Sequence, residues 1–157
     1  MAHDHAPRPG GIFRAPSRPH ITHTPVWREV VHNDYWIVLE DPALHVICAR
    51  RTAAPISDLA VIGDLEHRMA ARLDNIRRDH WRLLVDVREA PMRNDPAFEE
   101  RMRPVQMHLL AGFARTATLV RTQVGKLQVM RTRRESGGDQ ANSVFMSEED
   151  ALAYLLG

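Results

Sequence analysis

Five carboxylates in the stretch LLVDVREAPMRNDPAFEE, residues 83–100, are of the type and spacing that could carry acid–base chemistry. They are Asp86, Glu89, Asp95, Glu99 and Glu100. A general acid and a general base can be built from paired carboxylates. Glu99 and Glu100 have a simpler interpretation, because acids in the first turns of a helix stabilise its N-terminus. Asp86 needs a partner if its strand is buried, and Arg88 or a backbone N–H in the next turn would suffice.

No other motif predicts catalysis or a cofactor. The chain has no G-x-S-x-G elbow, H-E-x-x-H pair, paired C-x-x-C, P-loop or G-x-G-x-x-G. Cys48 lies in an apolar run, where we expect an inert, buried thiol. We therefore expect a non-catalytic protein without cofactor or metal. An enzyme that uses Asp86 or Asp95 is the alternative.

The composition is that of a soluble globular chain, with 44% hydrophobic residues, 26% charged residues and a formal net charge of +1. This net charge gives no global field that would favour nucleic acid or a membrane. No run approaches the ~18 apolar residues of a membrane span, and no apolar region of a secretory signal is present at the N-terminus. The single cysteine fits a reducing cytoplasm, where we expect the protein to be located.

Residues 1–25 are rich in Pro, His and Arg, and we expect a flexible tail there. Its histidines could in principle bind a transition metal. They lack the regular spacing and the additional ligands of a closed site, so a solvated tail is the preferred interpretation. The histidines are His3, His5, His20 and His23. One domain is expected over residues 26–157.

Apolar periodicity predicts an α/β fold with a mixed, mostly parallel sheet of about four to six strands and helices packed on it. Strands near 27–31, 35–40 and 44–51 should include an N-terminal antiparallel hairpin. From residue 44 onward, strands and helices alternate. The expected elements are a helix over 57–78 capped by Ser57 or Asp58, a strand over 80–88, a helix from Asp95 to Ala111, a strand over 117–122, a helix over 124–135, a loop over 136–140, a strand over 142–146 and a last helix capped by Ser147.

A long stretch of the chain is basic, because no Asp or Glu occurs from Arg101 to Arg134. This pattern predicts a basic surface, suited to an acidic protein partner or simply to solvent. Nucleic acid is disfavoured, since the window offers only Phe113 for base stacking. The cations are Arg101, Arg103, Arg115, Arg121, Lys126, Arg131, Arg133 and Arg134.

The layout resembles a STAS domain, in particular the SpoIIAA-like (STAS-like) bacterial proteins. The resemblance covers roughly residues 35–156 and is carried by YWIVLED, LHVICARR, RLLVDVREAP, NDPAFE, ATLVRT and VFMSEEDALAYLL. It implies a regulatory module that binds a protein partner. Phosphorylation of a serine after the central strand switches binding in regulatory STAS domains. This chain has no Ser or Thr between Val87 and Gly112, so Asp95 could at most imitate the phosphoserine, with about half its charge.

The resemblance places the partner-binding face after the central strand and at the end of the next one. Its expected residues are Asp86, Arg88, Arg93, Asn94, Asp95, Glu99, Arg103 and Arg121. A homodimer is also compatible with such a face. The alternative function is binding of a small apolar ligand or a nucleotide between helix and sheet, as in STAS-like relatives and the similar CRAL-TRIO fold. Met69, Met102, Met107 and Met130 could line such a pocket, although ordinary core positions are the preferred explanation for them.

The stretch LVDVREAPMRND, which contains Asp86, also superficially resembles the phosphoacceptor strand and following loop of response-regulator receivers. Receivers hold Mg²⁺ with acids at the end of the first strand, whereas the corresponding strand here ends in Arg50-Arg51. They also use a lysine after the last strand, where this chain has Ser147-Glu148. A receiver-like phosphoryl transfer is therefore disfavoured.

Overall fold

Six strands form one mixed sheet whose spatial order follows the order in the chain. The computed structural model describes residues 24–93, 95–135 and 142–157. The strands are β1 Arg28–His32, β2 Trp36–Asp41, β3 Val46–Arg51, β4 Arg82–Asp86, β5 Arg115–Leu119 and β6 Asn142–Phe145. Pairing is antiparallel from β1 to β3 and parallel from β3 to β6. The predicted α/β class, mixed sheet and N-terminal antiparallel hairpin are confirmed.

The helices lie on both faces of this sheet. They are α1 Val61–Leu73, α2 Pro96–Leu110, α3 Gln123–Glu135 and α4 Glu148–Leu156, with a 3₁₀ turn at Arg78–His80. The first three helices connect parallel strands whose order never reverses, so right-handed crossovers place them on one face. The last helix, α4, packs on the opposite face.

The alternating side chains of the strands divide the core into two layers. Ile47 and Ala49 of β3 pack on the α1–α2 side. Val46 and Cys48 of the same strand pack on the α4 side. Burial raises the pKa of the Cys48 thiol to about 12, as expected for an inert core cysteine.

Two predicted helix starts have the expected cap. Asp95 accepts a hydrogen bond from the Ala97 N–H at 3.1 Å, and Pro96 takes the first helical position. Ser147 accepts from the Asp150 N–H at 3.4 Å. The end of α2 is also as predicted, because Gly112 adopts φ +83°, which glycine adopts without strain.

The predicted helix over 57–78 is too long at both ends. Asp58 accepts a hydrogen bond from the Ala60 N–H at 2.8 Å, which forms a turn before the helix rather than a cap. The observed N-cap position is Ala60, without a side-chain cap, so neither Ser57 nor Asp58 caps α1. The helix ends at Leu73, and the 3₁₀ turn then shortens the strand predicted to start at residue 80.

The predicted strand over 117–122 is displaced toward the N-terminus in the structure. β5 covers Arg115–Leu119 because the residues after Val120 turn into α3. The Thr122 hydroxyl accepts from the Gly125 N–H at 3.1 Å at this turn.

Several sequence predictions fall on residues that the structure does not describe. The tail, apart from Thr24 and Pro25, its four histidines and the loop over 136–140 lie outside the described residues. Within the described part of the chain, no helix has the length and apolar character needed to cross a membrane.

Truncating a buried leucine should lower the free energy of unfolding much more than truncating an exposed leucine does. Leu119→Ala removes a fully buried side chain from β5, and we expect a loss of about 2–5 kcal/mol in the free energy of unfolding. The matched control is Leu127→Ala on the exposed face of α3, which should change it by less than about 0.5 kcal/mol. Urea denaturation followed by circular dichroism measures both values. Equal losses in the two variants would contradict this division between core and surface.

Candidate functional site

Charged side chains gather where β3, β4 and β5 end and α4 begins. Parallel strands bring their carboxyl ends to the same edge of the sheet, the usual location of functional groups in α/β proteins. We call the following set the charged edge: Arg50, Asp86, Arg88, Glu89, Arg121 and Glu148.

Asp86 is the buried centre of this set, with only 2% of its surface exposed. Its Oδ1 accepts from the Arg88 backbone N–H at 3.1 Å and from Arg88 Nε at 3.0 Å. Its Oδ2 accepts from Arg88 Nη2 at 2.8 Å and from Arg50 Nε at 3.1 Å. A carboxylate has about four lone-pair positions, and four donors occupy them. The partners expected from the sequence, Arg88 and a backbone N–H, are therefore confirmed, and Arg50 is added.

This environment keeps Asp86 ionised. Burial by itself would raise the pKa of its carboxyl group, but the hydrogen bonds from Arg88 and the charges of Arg88 and Arg50 outweigh it and hold the pKa below its usual value. The same hydrogen bond raises the pKa of Arg88. A general base or phosphoryl acceptor would need a free oxygen lone pair, which Asp86 could offer only by giving up one of these bonds.

The remaining members extend the charged edge toward solvent. Arg88 Nη2 also donates to Glu148 Oε2 at 3.0 Å, which connects the turn after β4 to the start of α4. Arg121 Nη2 donates to Glu89 Oε1 at 2.6 Å, and both side chains are exposed. The inner pairs therefore have a structural role, whereas the Arg121–Glu89 pair is available to another molecule.

A second group lies at the start of α2. Arg93 Nη2 donates to Asp95 Oδ2 at 2.6 Å, and Nη1 donates to the Ile56 carbonyl. The Arg93 guanidinium also lies 4.4 Å from the centre of the Phe98 ring. The hydrogen bond from Arg93 lowers the pKa of Asp95. Since one oxygen of Asp95 binds Arg93 and the other caps α2, the cap explains this residue without a signalling role.

The predicted site residues thus divide into two neighbouring groups and one outlying position. Asp86, Arg88 and Arg121 lie at the charged edge, Arg93 and Asp95 hold the start of α2, Glu99 lies in its first turn, and Arg103 is exposed farther along that helix. Asn94 lies outside the described residues.

Sequence reasoning missed Arg50 and Glu148. Their bonds to Asp86 and Arg88 span 36 and 60 residues of the chain. A local pattern contains no signal for such pairs. The one available clue is that both residues come at strand ends that a parallel sheet brings to the same edge.

The stretch of cations without acids does not form one open basic surface. Arg115 donates to the Tyr154 carbonyl at 2.7 Å, and Arg133 donates to the Thr118 hydroxyl beneath α3. Burial lowers the pKa of Arg133 to about 10. Arg101 and Arg103 lie on α2 instead. The exposed basic residues are therefore divided between two helices and the charged edge.

The four methionines proposed as a pocket lining do not share a pocket. Met69 and Met102 are buried in the core between α1, α2 and the sheet, whereas Met107 and Met130 are exposed on α2 and α3. A shallow cleft of about 220 Å³ lies elsewhere, between the β1–β2 turn and α1. Its lining includes Asn33, Tyr35 and Arg68 and is mixed in polarity.

Among the described residues, no group of three or more His, Cys, Asp or Glu side chains is placed to hold a metal ion. The charged edge itself alternates cations with acids, which leaves no cluster of free oxygen ligands of the kind that Mg²⁺ requires. Comparison of the chain with protein-family models, with curated proteins and with solved structures finds no match.

Neutralising Asp86 should destabilise the fold in a pH-dependent way. Asp86→Asn leaves Arg50 and Arg88 without their carboxylate, and we expect a loss of about 3 kcal/mol at pH 7, the low end for a buried pair because both arginines are a third exposed. The folded-state pKa of Asp86 is depressed, so its stabilisation is fully present above the unfolded value of about 3.9 and is lost as the pH falls through the folded value. The difference between wild type and variant should therefore shrink below about pH 4.

Urea denaturation of both proteins between pH 7 and pH 3 measures this difference. Asp64→Asn is a matched control, because Asp64 is an exposed partner of Arg68 on α1. That change should cost less than about 1 kcal/mol. A difference for Asp86→Asn that stays constant down to pH 3 would show that the carboxylate charge does not carry the effect.

Proposed function

We propose that the protein is a non-catalytic, STAS-like regulatory domain that binds a protein partner in the cytoplasm through the charged edge and the loop that follows β4. The observation that carries this proposal is the complete occupation of Asp86 by four donors. A carboxylate so engaged favours a positioning role, in which it fixes the loop that a partner would contact.

The order of the strands supports a surface rather than a crevice. Ligands of open α/β sheets bind where the strand order reverses. The parallel strands here follow one another without reversal, and ion pairs fill the edge at their carboxyl ends. Recognition at such an edge would rely on exposed charges and on apolar side chains beside them.

The loop provides such a side chain. Met92 lies between β4 and α2 with 67% of its surface exposed. Glu89 and Arg121 lie on the same edge and are exposed as well. The neighbouring Arg93 holds the end of the loop to Ile56 and to Asp95. A partner would therefore meet a loop that is already held in place, which lowers the cost of ordering on binding.

Phosphorylation is not required for this binding mode. The loop offers no Ser or Thr as a phosphate acceptor. Asp95 already pairs with Arg93 and caps α2, so its charge is used within the protein.

Native mass spectrometry of the protein isolated gently from its own cells is the direct test. We expect a second protein at fixed stoichiometry. Met92→Asp and Arg121→Glu should each reduce its occupancy about tenfold, because they alter the exposed centre of the surface. Val26→Asp is the matched control, since Val26 is exposed before β1 and should leave occupancy within about twofold.

Two outcomes would overturn this proposal. A bare chain carrying a small added mass would favour the ligand-binding alternative, and a partner whose occupancy is unaffected by Met92→Asp and Arg121→Glu would move the interface elsewhere. Both variants change exposed residues, so circular dichroism should show that each folds as the wild type does.

A separate substitution decides the role of Asp95. Serine is also a competent N-cap, so Asp95→Ser should retain α2 and keep the affinity for the partner within about twofold. Isothermal titration calorimetry with the partner found above measures this value. A loss of tenfold or more with unchanged helix content would show that the carboxylate does more than cap α2, either by contacting the partner or by holding Arg93 in place.

A further inference from the structure

Helix α3 differs from the other helices because most of its large apolar side chains face away from the sheet. Each of α1, α2 and α4 buries at least three side chains in the core. No side chain of residues 123–134 in α3 is buried. Its Val124 and Leu127 are 63% and 67% exposed, and Met130 continues the same face one turn later.

The side of α3 that meets the sheet is mostly polar, with Val129 half-buried beside Thr132 and Arg133. Arg133 donates to the Thr118 hydroxyl of β5, and its Nη1 has no hydrogen-bond partner among the described residues. A helix on a sheet normally turns its apolar stripe inward. This one places an arginine inward and a leucine outward, so its apolar stripe is left for another molecule.

Two exposed basic residues lie on the same outer face as the stripe. Residues 123–135 contain four cations, Lys126, Arg131, Arg133 and Arg134, and one acid, Glu135. Arg131 and Arg134 are exposed. The outer face of α3 therefore combines an apolar row of Val124, Leu127 and Met130 with positive charge beside it.

From this face we infer that α3 is a docking site for an acidic amphipathic helix of a partner protein. Apolar side chains of that helix would cover Val124, Leu127 and Met130, and its Glu or Asp residues would lie beside Arg134, which is exposed on the same face. This is the helix-on-helix form of the complementarity that charged interfaces use. The inference rests on the proposed function, because it specifies the chemistry of the partner.

The charges also argue against the other occupants. The segment of residues 1–23 contains Arg8, Arg14 and Arg18 against Asp4, so its sign matches that of α3. A second copy joined through α3 would bring the same cations face to face, as every two-fold interface pairs a patch with itself. A membrane-surface helix carries Trp, Phe or Leu in its apolar row and binds in proportion to the apolar area that it buries. Helix α3 offers one Leu and neither Trp nor Phe, so its apolar row is small for this role.

The test uses a defined probe rather than the unidentified partner. The probe is a fluorescein-labelled peptide of about 18 residues, long enough to form a helix, with Leu every three or four positions and Glu beside them. A peptide with Lys in place of Glu is its control. Fluorescence anisotropy should show the acidic peptide binding to the wild-type protein at least about tenfold more tightly than the basic one at low salt.

Three variants separate apolar from charge effects. Leu127→Glu and Leu127→Lys should each weaken binding of the acidic peptide by about tenfold or more, because both remove the apolar contact. Met107→Glu should stay within about twofold of wild type. It adds the same charge at a residue of α2 that is 60% exposed. Circular dichroism verifies that all three variants are folded.

Each contrary outcome overturns the inference. In the peptide assay, these outcomes are no binding of the acidic peptide, stronger binding by Leu127→Lys, or equal weakening by Met107→Glu. A second copy would be the occupant if the wild-type protein forms dimers that Leu127→Glu dissociates. A membrane would be the occupant if the protein binds vesicles of phosphatidylserine and phosphatidylcholine through Leu127 without binding the peptide. Failure of this inference can be distinguished from failure of the proposed function. A cellular partner that depends on Met92 but not on Leu127 would retain the charged edge and reject α3.

Discussion

The pairing of the buried Asp86 carboxylate is the interaction on which the geometry of the charged edge depends. Removing a charge from water costs several kcal/mol, so a strand can carry this acid inward only if cations reach it. One donor comes from Arg50 at the end of β3, and the others come from Arg88 in the turn after β4. Because Arg88 also binds Glu148, satisfying one carboxylate fixes two strands, a turn and the start of α4.

The sequential order of the strands explains why this edge has become a surface. When every crossover runs in the same direction, α1, α2 and α3 lie on one face, and the carboxyl edge is not divided by a reversal. The crevice in which α/β proteins usually hold a ligand forms at such a reversal. In this protein, ion pairs occupy the carboxyl edge of the parallel strands instead of a ligand. The exposed residues Glu89, Met92 and Arg121 lie around these ion pairs.

The order and type of the elements could be predicted from the sequence because they depend on local patterns. Asp95-Pro96 and Ser147 open helices by hydrogen bonds that span two or three residues. The end of α1 at Leu73 depends on a following 3₁₀ turn that apolar spacing does not register. The roles of Arg50 and Glu148 depend on contacts between distant elements. Spacing of three and four residues places Met69 on the apolar face of α1, where it is buried. The same kind of spacing on α3 could not show that Met130 is exposed.

Helix α3 shows how a fold can hold an element while leaving its apolar side free. At its start, Gly125 lies so close to the preceding turn that an added Cβ would be 3.3 Å from the Thr122 hydroxyl oxygen. Toward its end, Arg133 reaches the Thr118 hydroxyl. The first contact closes the turn that precedes α3, and the second holds the helix to β5, so neither requires Leu127 in the core. A helix already held in this way loses little conformational entropy when a partner covers its outer face.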